Sequence, residues 1–161
     1  MRDFPAQIGL GFGSFVPDVP VIDYDNTVEA ALPSILINDT AVNMLVGDGI
    51  YPNIIPQGAD IPAITYQQIS GPRVHDMQGP NGMVKARWQI NCWAADYAKA
   101  KELAGAVRLV LDGYSGTALQ TVIDVIHLIN EGDMPEMAPG TDELARYGKY
   151  LDFIVWFREE I

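Results

Sequence analysis

Apolar and polar residues alternate in the middle of the chain, a period of two that predicts β-strands. The first such segment, Ile61–Ser70, is rich in β-branched and aromatic residues. In the second, Val84–Ala94, one side is apolar and the other side carries Lys85, Arg87, Gln89, Asn91 and Trp93. Two more strands are predicted over Leu119–Ile129 and Gly148–Phe157. About four main strands are therefore expected.

Apolar residues at helical spacing predict two short helices ahead of the strands. Residues Asn26–Glu29 have the sequence of a capping box and open an apolar stripe that contains Val28, Ala31, Leu32, Ile35 and Leu36. Pro33 lies inside this stripe, where it is expected to bend or shorten the helix. The next helix is predicted between an Asp39 cap and Gly47.

A longer helix is predicted over residues 97–112, between the second and third strands. Asp96 has the side chain of an N-cap, and Gly113 suits the left-handed position that ends a helix. The resulting fold class is α+β. We expect an antiparallel or mixed sheet, built from a β-hairpin, a helix and a β pair, that packs against this long helix and the N-terminal helical pieces.

Four segments without sustained periodicity are expected to be loops or an arm. Residues 1–25 are predicted to be an N-terminal arm that gains order on a partner, because Phe4, Phe12 and Phe15 give it apolar surface to bury. The proline-containing segment after Gly47 is expected to be a rigid connector into the first strand. Residues 71–82 are full of turn formers and should project, and residues 131–143 should form an acidic loop. Residues 26–161 are predicted to be a single domain.

The charge balance argues against tight nucleic-acid binding. The chain has 161 residues with 10 Lys+Arg and 21 Asp+Glu, a formal net charge of −11. Such a surface repels a phosphate backbone. DNA can still pass an acidic wall, because a surface that repels a polyanion does not hold it.

Cysteine content and hydropathy indicate the compartment. Cys92 is the single cysteine, so no intramolecular disulfide and no CxxC zinc site can form. The first 20 residues lack the pattern of a signal peptide, and no apolar run reaches the roughly 18 residues of a membrane span. The sequence predicts a protein made in the cytosol, with no membrane contact.

Candidate chemistry is sparse. The GLGFGS run at 9–14 neither follows a strand nor leads into a helix, so it does not predict a phosphate loop. A nucleophile pair of Cys92 and His127 is conceivable if their strands are adjacent, although a thiol on an apolar strand face is usually a packing residue. The carboxylates of 131–143 do not have EF-hand spacing. No catalytic residue, cofactor or metal is therefore predicted.

The order of turn and packing signatures resembles a known family. The runs LVGDGIYPNIIPQGADIPAITYQQIS and ARWQINCWAADYAKAKELAGAVRLVLDGYSG resemble the tail-completion proteins of long-tailed bacteriophages, the tail-to-head joining group related to tail terminators. The shared features are Val46-Gly47-Asp48, Ile50-Tyr51-Pro52, Gly58 and Pro62 before a strand, Trp93-Ala94 at the end of a strand, and the long helix. The resemblance covers roughly residues 27–157. The N-terminal arm and the 131–143 loop depart from the family pattern.

The resemblance implies a virion structural protein and no enzyme. Such a subunit would form a ring, expected to be a hexamer, at the head-proximal end of the tail tube. The ring would end the tube and join it to the head connector or stopper protein, and DNA would pass through without specific binding. Two alternatives stay open: another minor virion protein, of head-completion or minor-tail type, and a small ligand-binding domain or enzyme that uses Cys92 and His127.

A ring requires two different contact surfaces on every subunit. The sequence offers candidates in the arm, the connector, the projecting loop and the polar side of the second strand. Trp93 shares that side with two cations, which favours a subunit contact. The predicted interface residues are Phe4, Phe12, Phe15, Tyr51, Arg73, His75, Asp76, Met77, Gln78 and Trp93.

Overall fold

The computed structural model describes residues 23–134, 136–137 and 144–160, with side chains over 23–134 and 146–160. The predicted arm lies mostly outside these residues, as do Phe4, Phe12 and Phe15. A 3-10 turn at Tyr24–Asn26 precedes helices α1 (Val28–Asn38), α2 (Thr40–Val46) and α3 (Tyr97–Leu111). The strands are β1 (Ile50–Pro52), β2 (Ala63–Ser70), β3 (Arg73–Asp76), β4 (Gly79–Ala94), β5 (Gly116–Ala118), β6 (Thr121–Asp133), β7 (Glu136–Met137) and β8 (Leu144–Arg158).

All eight strands belong to one mixed sheet. Its order is β1-β2-β4-β8-β6-β5, with β3 paired to β4 and β7 paired to β8. Only the β1–β2 pair is parallel. The helices and the sheet confirm the α+β class.

The core lies between the helices and one face of the sheet. Helix α3 packs on β4, β6 and β8, and α1 packs on α2, α3 and β5. The alternation of β4 places all of its predicted apolar positions in this core, where Trp88 and Ile90 face Leu103 and Val107 of α3 within one buried cluster. Small residues such as Ala100 and Ala104 lie fully buried on α3, which allows the helix to approach the sheet closely.

Two of the predicted helix caps are confirmed. An Asp39 carboxylate oxygen accepts a hydrogen bond from the Val42 amide at 3.0 Å, and Asp96 accepts one from the Lys99 amide at 2.8 Å. Gly47 and Gly113 follow their helices with φ of 56° and 85°, conformations that only glycine adopts without strain.

The prediction for the start of α1 was wrong in its cap. Thr27 is the N-cap and makes no side-chain capping bond; its hydroxyl instead donates to the Tyr24 carbonyl at 2.6 Å, closing the 3-10 turn that contains Asn26. The helix also runs through Pro33 to Asn38 without being shortened. Leu32 and Leu36 are buried against the core, and tertiary packing of this kind commonly overrides a local propensity.

The expected number of strands was too low. The four predicted strands exist as β2, β4, β6 and β8, but four short strands join them. Three of these contain only two or three residues, which is too short to show a period of two. Strand β1 lies inside the predicted proline connector and pairs Tyr51 with Thr65.

Residues 71–82 form paired strands rather than a loop. Strand β3 pairs with β4, which begins at Gly79 instead of Val84, and Met77 and Gln78 make the turn between them. The turn formers act locally: a carboxylate oxygen of Asp76 accepts from the Gln78 amide at 2.8 Å, and Gly79 has φ of 125°.

The acidic loop at 131–143 is likewise shorter than predicted. Strand β6 continues to Asp133, because β8 extends beside it and pairs Asp133 with Lys149. Residues 136–137 form β7, and residues 138–143 lie outside the described chain.

Candidate assembly surfaces

Five of the predicted interface residues lie together on the β3–β4 hairpin. Every residue of β3 is exposed, and Met77 at the turn is fully exposed. Below the turn, the Arg73 guanidinium binds Glu159 with two hydrogen bonds, of 2.6 and 3.2 Å. The base of the hairpin is thus tied to the end of β8, while His75, Met77 and Gln78 stay available to a partner.

Tyr51 lies apart from this hairpin. It is partly buried in β1, at the edge of the sheet, beside Thr65 near the start of β2. The β3–β4 hairpin follows the opposite end of β2. The described candidates therefore form at least two separate surfaces, a number consistent with the two different contacts that ring closure needs.

The sheet face opposite the helices carries several of the described cations, Lys85, Arg87 and Arg158 among them, and we call it the polar face. A guanidinium nitrogen of Arg87 lies 2.6 Å from a carboxylate oxygen of Asp152, and Arg158 pairs with Asp124 at 3.3 Å. The Lys85 ammonium lies 5.5 Å from the centre of the Trp156 ring. These pairs neutralise part of the basic charge, so the face is mixed in sign.

Trp93 lies on the polar face but is only 9% exposed. Its indole N–H donates to the Thr65 hydroxyl at 3.2 Å, and the Arg146 guanidinium lies 4.9 Å from the ring centre. Its ring also covers Gly148 so closely that a Cβ there would lie 2.6 Å from a ring carbon. Trp93 is thus packed inside the subunit, and its contact with a neighbour stays a prediction.

The structure contradicts the Cys92–His127 pair. Cys92 is fully buried on the helix-covered face, and burial, with a smaller contribution from Glu131, raises the pKa of its thiol. His127 is exposed and pairs with Ile154, which pairs with Arg87 on the polar face. Strand β8 also separates β4 from β6. A base on the other face of the sheet cannot activate this thiol.

A β-bulge changes the side of β6 on which His127 lies. The sequence places Ile123, Val125 and His127 on one side of a strand, but the register shifts between Ile123 and Val125. After the shift, Ile126 is buried in the core instead. A bulge of this kind leaves no signal in a simple alternation pattern.

Two buried charged groups were missed, Asp152 on the polar face and Lys149. Lys149 faces the helix layer and is buried, with its ammonium 2.8 Å from an Asp133 carboxylate oxygen. Tyr97 at the start of α3 covers the pair: its ring centre lies 5.6 Å from the ammonium, and its hydroxyl lies 3.3 Å from Asp133. The hydrogen bond from Lys149 lowers the pKa of Asp133, and the same bond raises the pKa of Lys149.

Exposed apolar residues were also missed, because the type of a single strand or helix residue does not show whether its side chain is exposed. On the helix layer, Met44 and Leu109 are each 81% exposed. On the sheet, Ile69 of β2 and Ile129 of β6 are 43% and 52% exposed. The sheet pair lies near opposite edges of the sheet.

No chemistry-bearing site emerges from the described residues. They contain no group of three or more His, Cys, Asp or Glu side chains placed to hold a metal. A groove of about 440 Å³ lies between α1, α3 and β5, and its one ionisable carboxylate, Asp39, caps α2. Among the helices of the described chain, none is long and apolar enough to cross a membrane.

Comparisons with known proteins identify related sequences and folds. The family model described as "Tail completion protein gp17" matches residues 30–136, from α1 to β7. A chain of the structure titled "Virion of native gene transfer agent (GTA) particle" has a similar fold, with a TM-score of 0.66 and 18% identity over 85% of this chain and 100% of that chain. No curated protein sequence matches the chain.

Proposed function

The chain belongs to the tail completion protein gp17 family, structural proteins of the phage virion and not enzymes, and from this premise we propose that it closes into a ring at the head-proximal end of the tail tube. The ring ends tube growth and docks on the head connector or stopper protein. Six copies are the expected number. The match over residues 30–136 is the observation that carries the proposal.

The described surfaces support a ring. The β3–β4 hairpin and the β1 edge are separate, so each subunit can offer different surfaces to its two neighbours and to the tube or connector. The fully exposed Met77 is the kind of side chain that gains from burial in a partner.

Charge supports passage of DNA without capture. The net charge of −11 is repeated in every copy, so a ring carries a strongly acidic surface around its channel or rim. The cations of the polar face are partly paired with Asp152 and Asp124, which lowers their attraction for phosphate.

Light scattering after size-exclusion chromatography, with and without isolated tail tubes, tests the proposal. The account predicts a ring on the tubes, with free subunits monomeric or multimeric depending on concentration. Electron microscopy of the same sample should show added density at one tube end only. A strict monomer that leaves the tubes unchanged would contradict the proposal, and binding to heads instead would favour a head-completion protein.

A matched pair of variants tests the role of the hairpin. Met77→Ser changes the hairpin turn, whereas Leu109→Ser changes an exposed apolar residue on α3. Both variants should unfold at the same urea concentration as the wild type. Met77→Ser should weaken attachment of tails to heads, and Leu109→Ser should leave it unchanged. Equal attachment by both variants would remove the hairpin from the proposed interface.

A further inference from the structure

The sheet ends in an unpaired segment on β6. Strand β5 covers the first residues of β6, and Ile126 exchanges hydrogen bonds with Gly113 and Tyr114. The Leu128 amide donates to an Asp112 carboxylate oxygen at 2.9 Å. From Ile129 to Asp133, no described residue bonds to the outer side of the strand. We call residues 129–133 the β6 edge.

The register shifts between Leu128 and Asn130, so the hydrogen bond that follows the β6 edge, and not the Leu128 bond, fixes the direction of its backbone groups. The Met134 amide donates to the Gly148 carbonyl of β8, so it points into the sheet. Backbone groups alternate along a strand. Gly132 therefore also points inward, and the N–H and C=O groups of Glu131 and Asp133 point outward, where a further strand could bind them.

A second unpaired segment lies at the opposite end of the sheet. Strand β1 covers β2 only from Ile64 to Tyr66. Beyond that point, β2 and β3 lie one after the other along the same side of β4. No described strand pairs with the outer side of residues 67–76, although the Gly71 carbonyl accepts a hydrogen bond from the Arg73 guanidinium at 2.8 Å. All but Gln67 and Gly71 are exposed. We call them the β2–β3 edge.

The directions of the strands make the two edges complementary. Strands β2, β3 and β8 run opposite to β4 and β6, because the neighbouring pairs are antiparallel. If the β2–β3 edge of one copy lies beside the β6 edge of another, the new pair is antiparallel as well. The contact uses two different edges, so it repeats head to tail and can close into a ring.

Register and side chains also fit this contact. Glu131 lies in one row with Leu151, Ile90 and Tyr66, and Asn130 lies in the next row with Asp152, Gln89 and Gln67. The free part of β2 therefore starts level with the middle of the β6 edge and continues beyond it. A sheet that closes on itself requires such a stagger. The edges carry Ile129 and Ile69 as exposed apolar residues, and Glu131, which has no ion pair in the described chain, would approach the side that carries Arg73 and His75.

From these observations we propose that neighbouring copies join through their sheets, with the β6 edge of one copy pairing antiparallel to the β2–β3 edge of the next. The proposal rests on the ring assembly proposed above. Pro72 lies within the β2–β3 edge and has no amide to donate, so the pairing uses the residues on either side of it. Every copy then fills its neighbour's unpaired backbone groups.

Disulfide cross-linking of the full chain tests the contact. Paired strands bring Cα atoms within about 4.5–5.5 Å, which is inside the range that a disulfide spans. Glu131→Cys is combined in one chain with Ile69→Cys, and in a second chain with His75→Cys. After assembly on tail tubes and mild oxidation, at least one of these double variants should give a ladder of covalent multimers on denaturing gels.

Variants with one of these substitutions alone show whether like or unlike edges meet. Each variant with one added cysteine should stay monomeric on the gel, because unlike edges meet and the native Cys92 is buried. Met44→Cys combined with Leu109→Cys, on the helix layer, is the matched control and should also give no ladder. Dimers from Glu131→Cys alone would show that like edges meet, and would overturn the proposal.

The cross-linking results distinguish a failure of the proposed edge contact from a failure of the proposed ring assembly. Rings that form on the tubes without a cross-link in either double variant overturn the edge contact and leave the proposed function intact. Subunits that form no ring under any condition overturn both.

Discussion

The Arg87–Asp152 pair yields an asymmetric prediction, because burial differs sharply between its two members. The Asp152 side chain is 5% exposed and the Arg87 side chain is 44% exposed, with 2.6 Å between their nearest charged atoms. Arg87→Met leaves a buried carboxylate without its partner, which is expected to cost about 3 kcal/mol of unfolding free energy. Asp152→Asn leaves a guanidinium that water can reach and should cost about 1 kcal/mol.

Urea unfolding at pH 7, followed by tryptophan fluorescence, measures both losses. The double variant Arg87→Met, Asp152→Leu removes both charges and should recover most of the stability. Arg158→Met, in the more exposed pair with Asp124, is the matched control and should cost less than about 1 kcal/mol. Equal losses for the two single variants, or a larger loss for Asp152→Asn, would refute the argument from burial.

Three further predictions concern the interior and the Lys149 pair. Trp88→Ala should cost about 3–5 kcal/mol in the same urea assay, because Trp88 is 2% exposed in the core; a loss below about 1 kcal/mol would contradict the described packing. The lowered pKa of Asp133 stabilises the fold above the carboxyl's unfolded pKa of about 3.9, so wild type should lose stability as pH falls through that region, while Asp133→Asn should lose less; identical acid profiles would refute the contribution of the pair. The Cys92 thiol should not react with a thiol reagent until the protein unfolds, and His127→Ala should not change that rate; rapid reaction in the native protein would contradict its burial.

Strong, regular patterns were sufficient to predict most of the framework. The alternation of β4 predicted its buried face correctly, since each apolar position from Val84 to Ala94 lies in the core. Asp39 and Asp96 were predicted as caps because a carboxylate before an apolar stripe has few other roles. The family resemblance is confirmed by the match over residues 30–136.

Features set by pairing between distant segments were not predictable. Strand β3 has only four residues and is flanked by turn formers, and its pairing with β4 could not be read from that composition. The bulge after Ile123 reverses the faces of β6, so His127 is exposed and cannot meet Cys92. A lysine such as Lys149 is expected at the surface from sequence, but its ion pair with Asp133 and its contact with the Tyr97 ring allow it to be buried.

Some features of the proposed interface could be predicted from sequence, whereas others depend on strand pairing. Arg73, His75, Asp76, Met77 and Gln78 were predicted from turn composition, and the structure places them together at an exposed position. The unpaired backbone of the β6 edge has no sequence signature, because it depends on where β5 and Asp112 stop covering β6. An edge can be found only once the order of the strands is known.

The proposed role in ending and joining the tail is tested most directly by deleting the gene and imaging the particles by electron microscopy. The account predicts filled heads without tails, together with free tails of abnormal, often excessive length, and both defects should be reversed by the wild-type chain supplied in trans. Particles with joined tails of normal length in the deletion would contradict the account.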